Sequence, residues 1–158
     1  MKKTAVFPGS FDPFTVGHEA LVRRALGIFD EIIIAVGDNA EKKSFFSLAV
    51  RKEIISKTFR NDPGVKVDNY SGLTVDYCRS RNASFLIRGL RTSADFEFER
   101  AIGQVNKTMA PEIETVFLLT APEHSFITST IVRDVLKNGG DASGFVPSAI
   151  NINDYKRN

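Results

Sequence analysis

Tryptophan is missing from this sequence, cysteine occurs once, at Cys78, and neither sign of charge dominates: 21 Lys and Arg stand against 19 Asp and Glu, a formal balance of +2. A single cysteine excludes an intramolecular disulfide framework and fits a reducing compartment, so a cytoplasmic protein is expected. Cys78 ends the stretch Val75-Asp76-Tyr77-Cys78, which reads as a helix face, and a buried, inert thiol is the expectation there. Near-balanced charge removes the bulk electrostatic case for a nucleic-acid or membrane partner, so local clusters must carry any anion-binding claim. No apolar run approaches the roughly 20 residues of a membrane-spanning helix. The start, Met1-Lys2-Lys3-Thr4, passes straight into a short strand and not into the apolar core of a signal peptide. Repeats, low-complexity tracts and linker-like shifts of composition are absent too. What remains, 158 residues with 42% hydrophobic and 25% charged, predicts one packed domain over residues 1–158.

Within that domain, short β-branched runs alternate with segments of helical period. Thr4 to Phe7, Ile32 to Val36, Val65 to Val67, Phe85 to Ile87 and Thr115 to Leu119 read as five strands. A helix over His18 to Phe29 gathers Leu21, Val22, Ala25, Leu26 and Phe29 on one face, and a helix over Ala94 to Met109 gathers Phe98, Ile102, Val105 and Met109. Both faces are expected to look inward. A third helix follows Ser47 as N-cap and ends near Asn61, before the turn Asp62-Pro63-Gly64. A fourth starts near Thr128 or Ser129 and stops at Asn138-Gly139-Gly140. The polar tail from Ser148 reads equally as a last short helix or a frayed end. Alternating strands and helices describe right-handed βαβ units. The fold class is α/β, a doubly wound five-stranded parallel sheet of Rossmann-like type.

In such a sheet ligands bind beyond the carboxyl ends of the strands, so the residues after each strand carry the functional signal. After the first strand come Pro8-Gly9-Ser10-Phe11-Asp12-Pro13-Phe14-Thr15-Val16-Gly17-His18, two glycines that permit close backbone approach, a hydroxyl, and a histidine at a helix start. Asp12, next to Pro13, reads as a loop-shaping acceptor in preference to a metal ligand. After the second strand come Lys42 and Lys43. Arg88-Gly89-Leu90-Arg91 closes the fourth, with guanidiniums suited to bidentate contact with phosphate. The fifth is followed by His124-Ser125-Phe126-Ile127-Thr128-Ser129-Thr130 at another helix start. Cations and hydroxyls at four strand ends predict a polyphosphate ligand. The dinucleotide fingerprint G-x-G-x-x-G and the Walker loop are both absent, which disfavours those enzyme classes.

The stretch Gly9-Ser10-Phe11-Asp12-Pro13 with Thr15-Val16-Gly17-His18 resembles the signature of the nucleotidylyltransferase superfamily. Ile87-Arg88-Gly89-Leu90-Arg91 through Asp95-Phe96-Glu97-Phe98-Glu99, and Ser125 through Arg133, are similar to the phosphopantetheine adenylyltransferase family in particular. Together with Lys42, Leu73-Thr74 and Gly140-Asp141, they extend the likeness over nearly the whole chain. The resemblance implies a nucleotidyltransferase fold and transfer of AMP from ATP to 4′-phosphopantetheine, giving dephospho-coenzyme A and pyrophosphate. It implies that Ser10, Lys42, Thr74 and Arg88 contact the acceptor. It implies that Ser10, Phe11, His18, Gly89, Leu90, Arg91, Glu99 and the run His124, Ser125, Phe126, Ile127, Thr128, Ser129 and Thr130 contact ATP. His18 would be the transition-state stabiliser, with Lys42 and Arg91 as further catalytic groups. The same resemblance implies a cytoplasmic homohexamer that uses Mg2+ and is inhibited by coenzyme A. Three positions depart from the family's habit: Phe98 for a frequent Tyr, Thr128 for a usual Ser, and His124 for a common Tyr or Trp.

The residue types are consistent with that chemistry. A phosphate acceptor is already nucleophilic at neutral pH, so the chain must position and neutralise, without a catalytic base or a covalent intermediate. Mg2+ would be held mainly by the substrate phosphates, with no protein cage. Less specific readings stand beside these: Arg88 and Arg91 as surface charges paired with Asp95 or Glu99, Glu99 as a helix-surface acid, and Ser125 to Thr130 as a mere helix cap. Two other functions stay open on the sequence alone. One is a nucleotidylyltransferase with another phosphate acceptor, which the Arg88 to Glu99 stretch opposes. The other is a nonenzymatic nucleotide- or RNA-binding module, opposed by the modest charge and the lack of a basic stripe.

Overall fold

In a computed structural model that describes all residues from Met1 to Asn158, five parallel strands alternate with five helices. The order along the chain is β1 (Thr4–Gly9), α1 (Val16–Ala25), β2 (Glu31–Gly37), α2 (Leu48–Thr58), β3 (Val65–Tyr70), α3 (Thr74–Ser80), β4 (Phe85–Leu90), α4 (Ser93–Met109), β5 (Glu114–Leu119) and α5 (Ser129–Lys137). Across the sheet the order is β3-β2-β1-β4-β5, the doubly wound arrangement expected from the alternating pattern.

Side-chain alternation divides the core into two layers. Ala5, Phe7, Ile32, Ile34, Val36 and Ile87 face one way and pack with α1, α2 and α5 in a cluster of 22 buried residues. Val6, Ile33, Ala35 and Leu86 face the other way and meet Val75, Tyr77 and Cys78 of α3 in a smaller cluster of 10. Strands buried on both faces read as continuous apolar runs, which is why Ile32-Ile33-Ile34-Ala35-Val36 shows no period. Cys78 is buried as expected, and burial pushes its thiol up to about 11. The tail is packed: Ile152 lies in the larger cluster, and the Asn158 N–H donates to the Phe45 carbonyl at 2.9 Å.

The two central strands separate where the site lies. β1 pairs with β2 along its whole length, but with β4 only at Ala5–Phe85 and Val6–Leu86. Pro8, on the same side of β1 as Val6, has no N–H to continue the ladder. Its carbonyl instead accepts from Arg88 Nη1 at 3.0 Å, so the guanidinium bridges the gap that the strands leave.

One sequence expectation fails. The stripe on α4 does not look inward: Phe98 is 68% exposed and Val105 57%, with Ile102 and Met109 also exposed. The one buried side chain of this helix is Glu99. Periodicity correctly placed the four apolar residues on one face, but this face points away from the chain's own sheet. A second, smaller difference is that α1 ends at Ala25, four residues early, in the turn that contains Gly27. Phe29 reaches the core from beyond the helix.

Candidate active site

A cavity of about 400 Å³ opens at the carboxyl edge of the sheet, where β1 and β4 part. This is the switch point at which strand order reverses. Its walls come from the β1–α1 loop and α1, the ends of β4 and β5, the α4 side chains Asp95, Phe98 and Glu99, the start of α5, and Lys42.

The β1–α1 loop is held in shape by its own side chains. Asp12 accepts from the Phe45 N–H at 2.7 Å and the Phe46 N–H at 2.8 Å, so it fixes the segment after β2 that carries Lys42. The loop-shaping role expected of it is the one it has. α5 is stitched to the same loop: Ser129 Oγ donates to the Pro13 carbonyl at 2.9 Å and Arg133 Nη1 to the Asp12 carbonyl at 2.8 Å. Two glycines are required by space. A Cβ on Gly9 would lie 2.8 Å from the Phe11 ring, and one on Gly89 2.7 Å from Leu21 Cδ1.

His18 occupies the third position of α1 in a capping box with Thr15. Its Nδ1 accepts from the Thr15 N–H at 2.9 Å. A backbone amide can only donate, so Nδ1 is unprotonated and the neutral ring carries its proton on Nε2. Phe11 and Phe14 flank the imidazole with centroids 5.1 and 5.2 Å away, and Phe7 lies at 6.2 Å. Burial, reinforced by the positive charges of Arg91 and Arg88, lowers the His18 pKa to about 4. The ring therefore presents a neutral Nε2–H to a cavity at the positive end of α1. An unfolded chain would protonate His18 near its ordinary 6.5, so its contribution to stability is complete above that pH and is lost as the pH falls towards 4. In a histidine NMR titration of the ligand-free protein, the His18 signals are expected to keep their neutral shifts through the ordinary 6.5 region and to move with a midpoint at about pH 4. A midpoint near 6.5 would contradict the desolvated ring.

Arg88 and Glu99 form a two-pronged ion pair, Nε to Oε2 at 2.8 Å and Nη2 to Oε1 at 2.6 Å. With the Pro8 contact, this fixes the guanidinium plane. Arg91 is more exposed and meets Asp95 at 3.2 Å, while the Asp95 carboxylate also accepts from the Arg91 N–H at 3.0 Å. Screened by water, the Arg91 pair is weak enough to open to a phosphate. At the start of α5, the Thr128 hydroxyl accepts from the Ile131 N–H, so this residue is the helix cap. The following residues, Ser129 and Thr130, line the cavity at a helix N-terminus suited to anions.

Of the residues singled out in the sequence, the cavity gathers Ser10, Phe11, His18, Lys42, Arg88, Gly89, Arg91, Glu99 and Ile127 to Thr130. Others stand outside its lining. The Thr74 hydroxyl is paired with Tyr70 Oη at 2.9 Å beyond β3, and Leu90 is buried. His124 ends a single 3-10 turn beside Gly17, Ser125 Oγ donates to the Pro122 carbonyl, and Phe126 is exposed. Two cations were not anticipated as site residues. Arg133 lines the cavity one turn after Ser129, a spacing of four that was readable as a shared helix face. Arg51 is buried on α2 in register with Ile54, Ile55 and Thr58, and its Nη1 donates to the Ser10 carbonyl at 2.7 Å.

Every acidic side chain of the cavity already has a partner, and only one carboxylate oxygen, Asp95 Oδ1, is left without one. Both oxygens of Asp12 accept backbone N–H groups, both of Glu99 are taken by Arg88, and Asp95 is engaged with Arg91. The donor set suits an ion that arrives on substrate phosphates and keeps its waters.

The Cytidylyltransferase-like family profile matches residues 6–135. The chain is similar in fold to a bifunctional NMN adenylyltransferase/ADP ribose pyrophosphatase from Francisella tularensis, solved in complex with AMP and a manganese ion. The TM-score is 0.69 at 18% identity, covering 98% of this chain and 46% of that one. Among sequences it is 55% identical over 150 residues to the phosphopantetheine adenylyltransferase of Flavobacterium psychrophilum, covering 95% of this chain and 99% of the relative. With the enzyme of the same name from Flavobacterium johnsoniae the identity is 53%, over 95% and 98% of the two chains. Identity at this level over almost the full length of both partners shows that the chain belongs to the phosphopantetheine adenylyltransferase family.

Proposed function

We propose that residues 1–158 act as one nucleotidyltransferase domain that moves the adenylyl group of ATP onto 4′-phosphopantetheine, releasing pyrophosphate and dephospho-coenzyme A. The observation that carries this reading is His18, neutral and protonated on Nε2, facing Lys42, Arg88 and Arg91 within one cavity. The acceptor's phosphate oxygen attacks the α-phosphorus of ATP. A new P–O bond forms as the bond from the α-phosphorus to the bridging oxygen breaks, and pyrophosphate leaves with that oxygen. No side chain need take a proton or form a covalent bond. His18 donates from Nε2 to a non-bridging α-phosphate oxygen as negative charge concentrates there. A protonated imidazole would be costly in this apolar box, but a neutral donor already aimed at the site needs no reorganisation. Lys42 and Arg88 act on the acceptor side, with Ser10 between the substrates. Arg91, Ser129 and Thr130 hold the β- and γ-phosphates. Phe11, Gly89, Leu90 and the run from His124 to Thr130 are assigned to ATP, and Thr74 to the pantetheine arm, by likeness to the family. Glu99 acts through Arg88. Mg2+ would be held mainly by the substrate phosphates, with Arg91, Ser129 and Thr130 beside them, and would supply positive charge against that of the departing pyrophosphate.

The reading is tested with purified protein, ATP, Mg2+ and 4′-phosphopantetheine, following pyrophosphate release and product mass, with nicotinamide mononucleotide as control acceptor. Dephospho-coenzyme A with the first acceptor and no adduct with the second is the expected outcome. Transfer to the mononucleotide at a similar rate would move the chain to the alternative acceptor class.

No helix is long and apolar enough to cross a membrane, and the lone buried thiol of Cys78 supports assignment to the cytoplasm. Coenzyme A, which shares the product's framework, is assigned as an inhibitor of the same cavity. We further propose that six copies assemble, with the exposed α4 stripe in the interface. Four apolar side chains on one free helix face, with Phe96 exposed beside them, form a patch of the kind that another copy covers. Sedimentation should then give a mass of about six times 17.5 kDa. Val105→Lys should reduce it, and a 17.5 kDa species in the unaltered protein would refute the assembly.

A further inference from the structure

Beside the reaction cavity, and sharing Ser10, Asp12, Lys42 and Arg133 with it, lies a second cavity of about 290 Å³. Five cationic side chains line it: Lys42, Lys43, Arg51, Arg133 and Lys137. None of the five belongs to any of the twelve ion pairs in the structure. The one acidic side chain in the wall, Asp12, already has both oxygens engaged by backbone N–H groups.

Arg51 makes the charge imbalance a matter of the interior. It is only 4% exposed, and its Nη1 donates to the carbonyls of Ser10 at 2.7 Å and Gly37 at 3.3 Å. Its Nε is the one buried side-chain polar atom in the protein without a hydrogen-bond partner. Asp12 and Asp38 are near enough to stabilise the guanidinium electrostatically, yet burial outweighs them and lowers its pKa. A buried cation whose hydrogen bonds go only to carbonyl oxygens, with a donor to spare, is a stable feature where an anion completes it. Arg133 spans the two cavities, held by the Asp12 carbonyl and by Thr130 Oγ1 at 3.2 Å. The far wall is the docked tail, where Asn158 Nδ2 donates to the Ser44 carbonyl at 3.1 Å.

We propose that this second cavity is a binding site for a phosphate-class dianion, held by the Arg51 guanidinium together with the ammonium groups of Lys43 and Lys137. None of these three cations is among the residues assigned to ATP or to the acceptor, although Ser10 and Lys42, which are, line the same cavity.

Inorganic phosphate is the probe. It is titrated into the full chain, without nucleotide, by calorimetry and by the 15N NMR signal of the Arg51 Nε–H. Arg51 itself is left in place, because it also holds the Ser10 and Gly37 carbonyls. Saturable movement of the Arg51 signal is expected. The Lys43→Ala/Lys137→Ala double variant should bind phosphate about tenfold more weakly, the loss of two charge-assisted contacts, with unchanged thermal unfolding. Arg91→Ala, which alters only the reaction cavity, should leave this affinity within about twofold. An unmoved Arg51 signal at saturating phosphate would overturn the proposal. So would binding that survives the double lysine variant and is lost with Arg91→Ala, since the anion would then occupy the reaction cavity only.

Discussion

Replacing His18 with alanine is expected to lower kcat by about 10²- to 10³-fold, the range for removing one preorganised donor from a developing oxyanion. KM for ATP should move little by comparison, because on the proposed assignment Arg91 and the start of α5 hold the ground-state phosphates whether or not the imidazole is there. The fold should survive. What alanine removes locally is the acceptor for the Thr15 N–H, one half of a capping box, at a cost of about 1 kcal/mol. Steady-state kinetics beside a thermal melt separate the two effects. A variant with near-normal kcat would strip His18 of its role, and a large rise in KM at constant kcat would make it a ground-state binding group.

Glu99→Ala should damage both activity and stability through the loss of its ion pair with Arg88. Both carboxylate oxygens are committed to that guanidinium, and Glu99 is the buried residue of α4. Without it Arg88 keeps one contact, the Pro8 carbonyl, and loses its fixed plane in the gap between β1 and β4. Removing one partner of a buried pair costs about 3 to 5 kcal/mol. With the Arg88 side chain 30% exposed, about 2 is the better expectation. For a chain of this size that is a fall in Tm of roughly 4 to 8 °C. Activity should drop about tenfold or more through the acceptor side, seen as kcat/KM for phosphopantetheine. Glu99→Gln, which retains one acceptor oxygen, should recover part of both losses. A rise in KM for ATP alone, with Tm unchanged, would show instead that Glu99 meets the nucleotide directly.

The strands and the edge that binds ligand were readable because local chemistry decides them. Ile32 to Val36 is apolar and β-branched with no helical period. Pro8, with no N–H to give, ends the first strand's pairing with the fourth but not with the second, and Thr15 caps the helix that carries His18. The α4 face was misjudged for a physical reason: a period of 3.6 tells which side chains share a stripe, but what covers the stripe is a tertiary or quaternary matter. The same limit hid Arg51. As a charged residue it reads as solvent-facing, yet its spacing to Ile54 and Ile55 places it on the buried face of α2. Arg88 and Glu99 lie eleven residues apart on different elements. The sequence allowed both a surface pair and a phosphate clamp. The structure shows the pair, partly buried and not on the open surface, and places the guanidinium it holds at the cavity wall. Thr74 was identified by family likeness alone, and neither it nor His124 is part of the cavity's lining.

That this cavity moves the adenylyl group in one in-line displacement, with no nucleophile from the protein, is tested most directly by stereochemistry at phosphorus. ATP carrying sulfur at a single configuration of the α-phosphate would be turned over with 4′-phosphopantetheine, and the configuration of the thio-substituted product determined. Direct attack by the acceptor predicts inversion. Retention would require two displacements through an adenylylated side chain, and would contradict a purely positioning and neutralising role for His18, Lys42, Arg88 and Arg91.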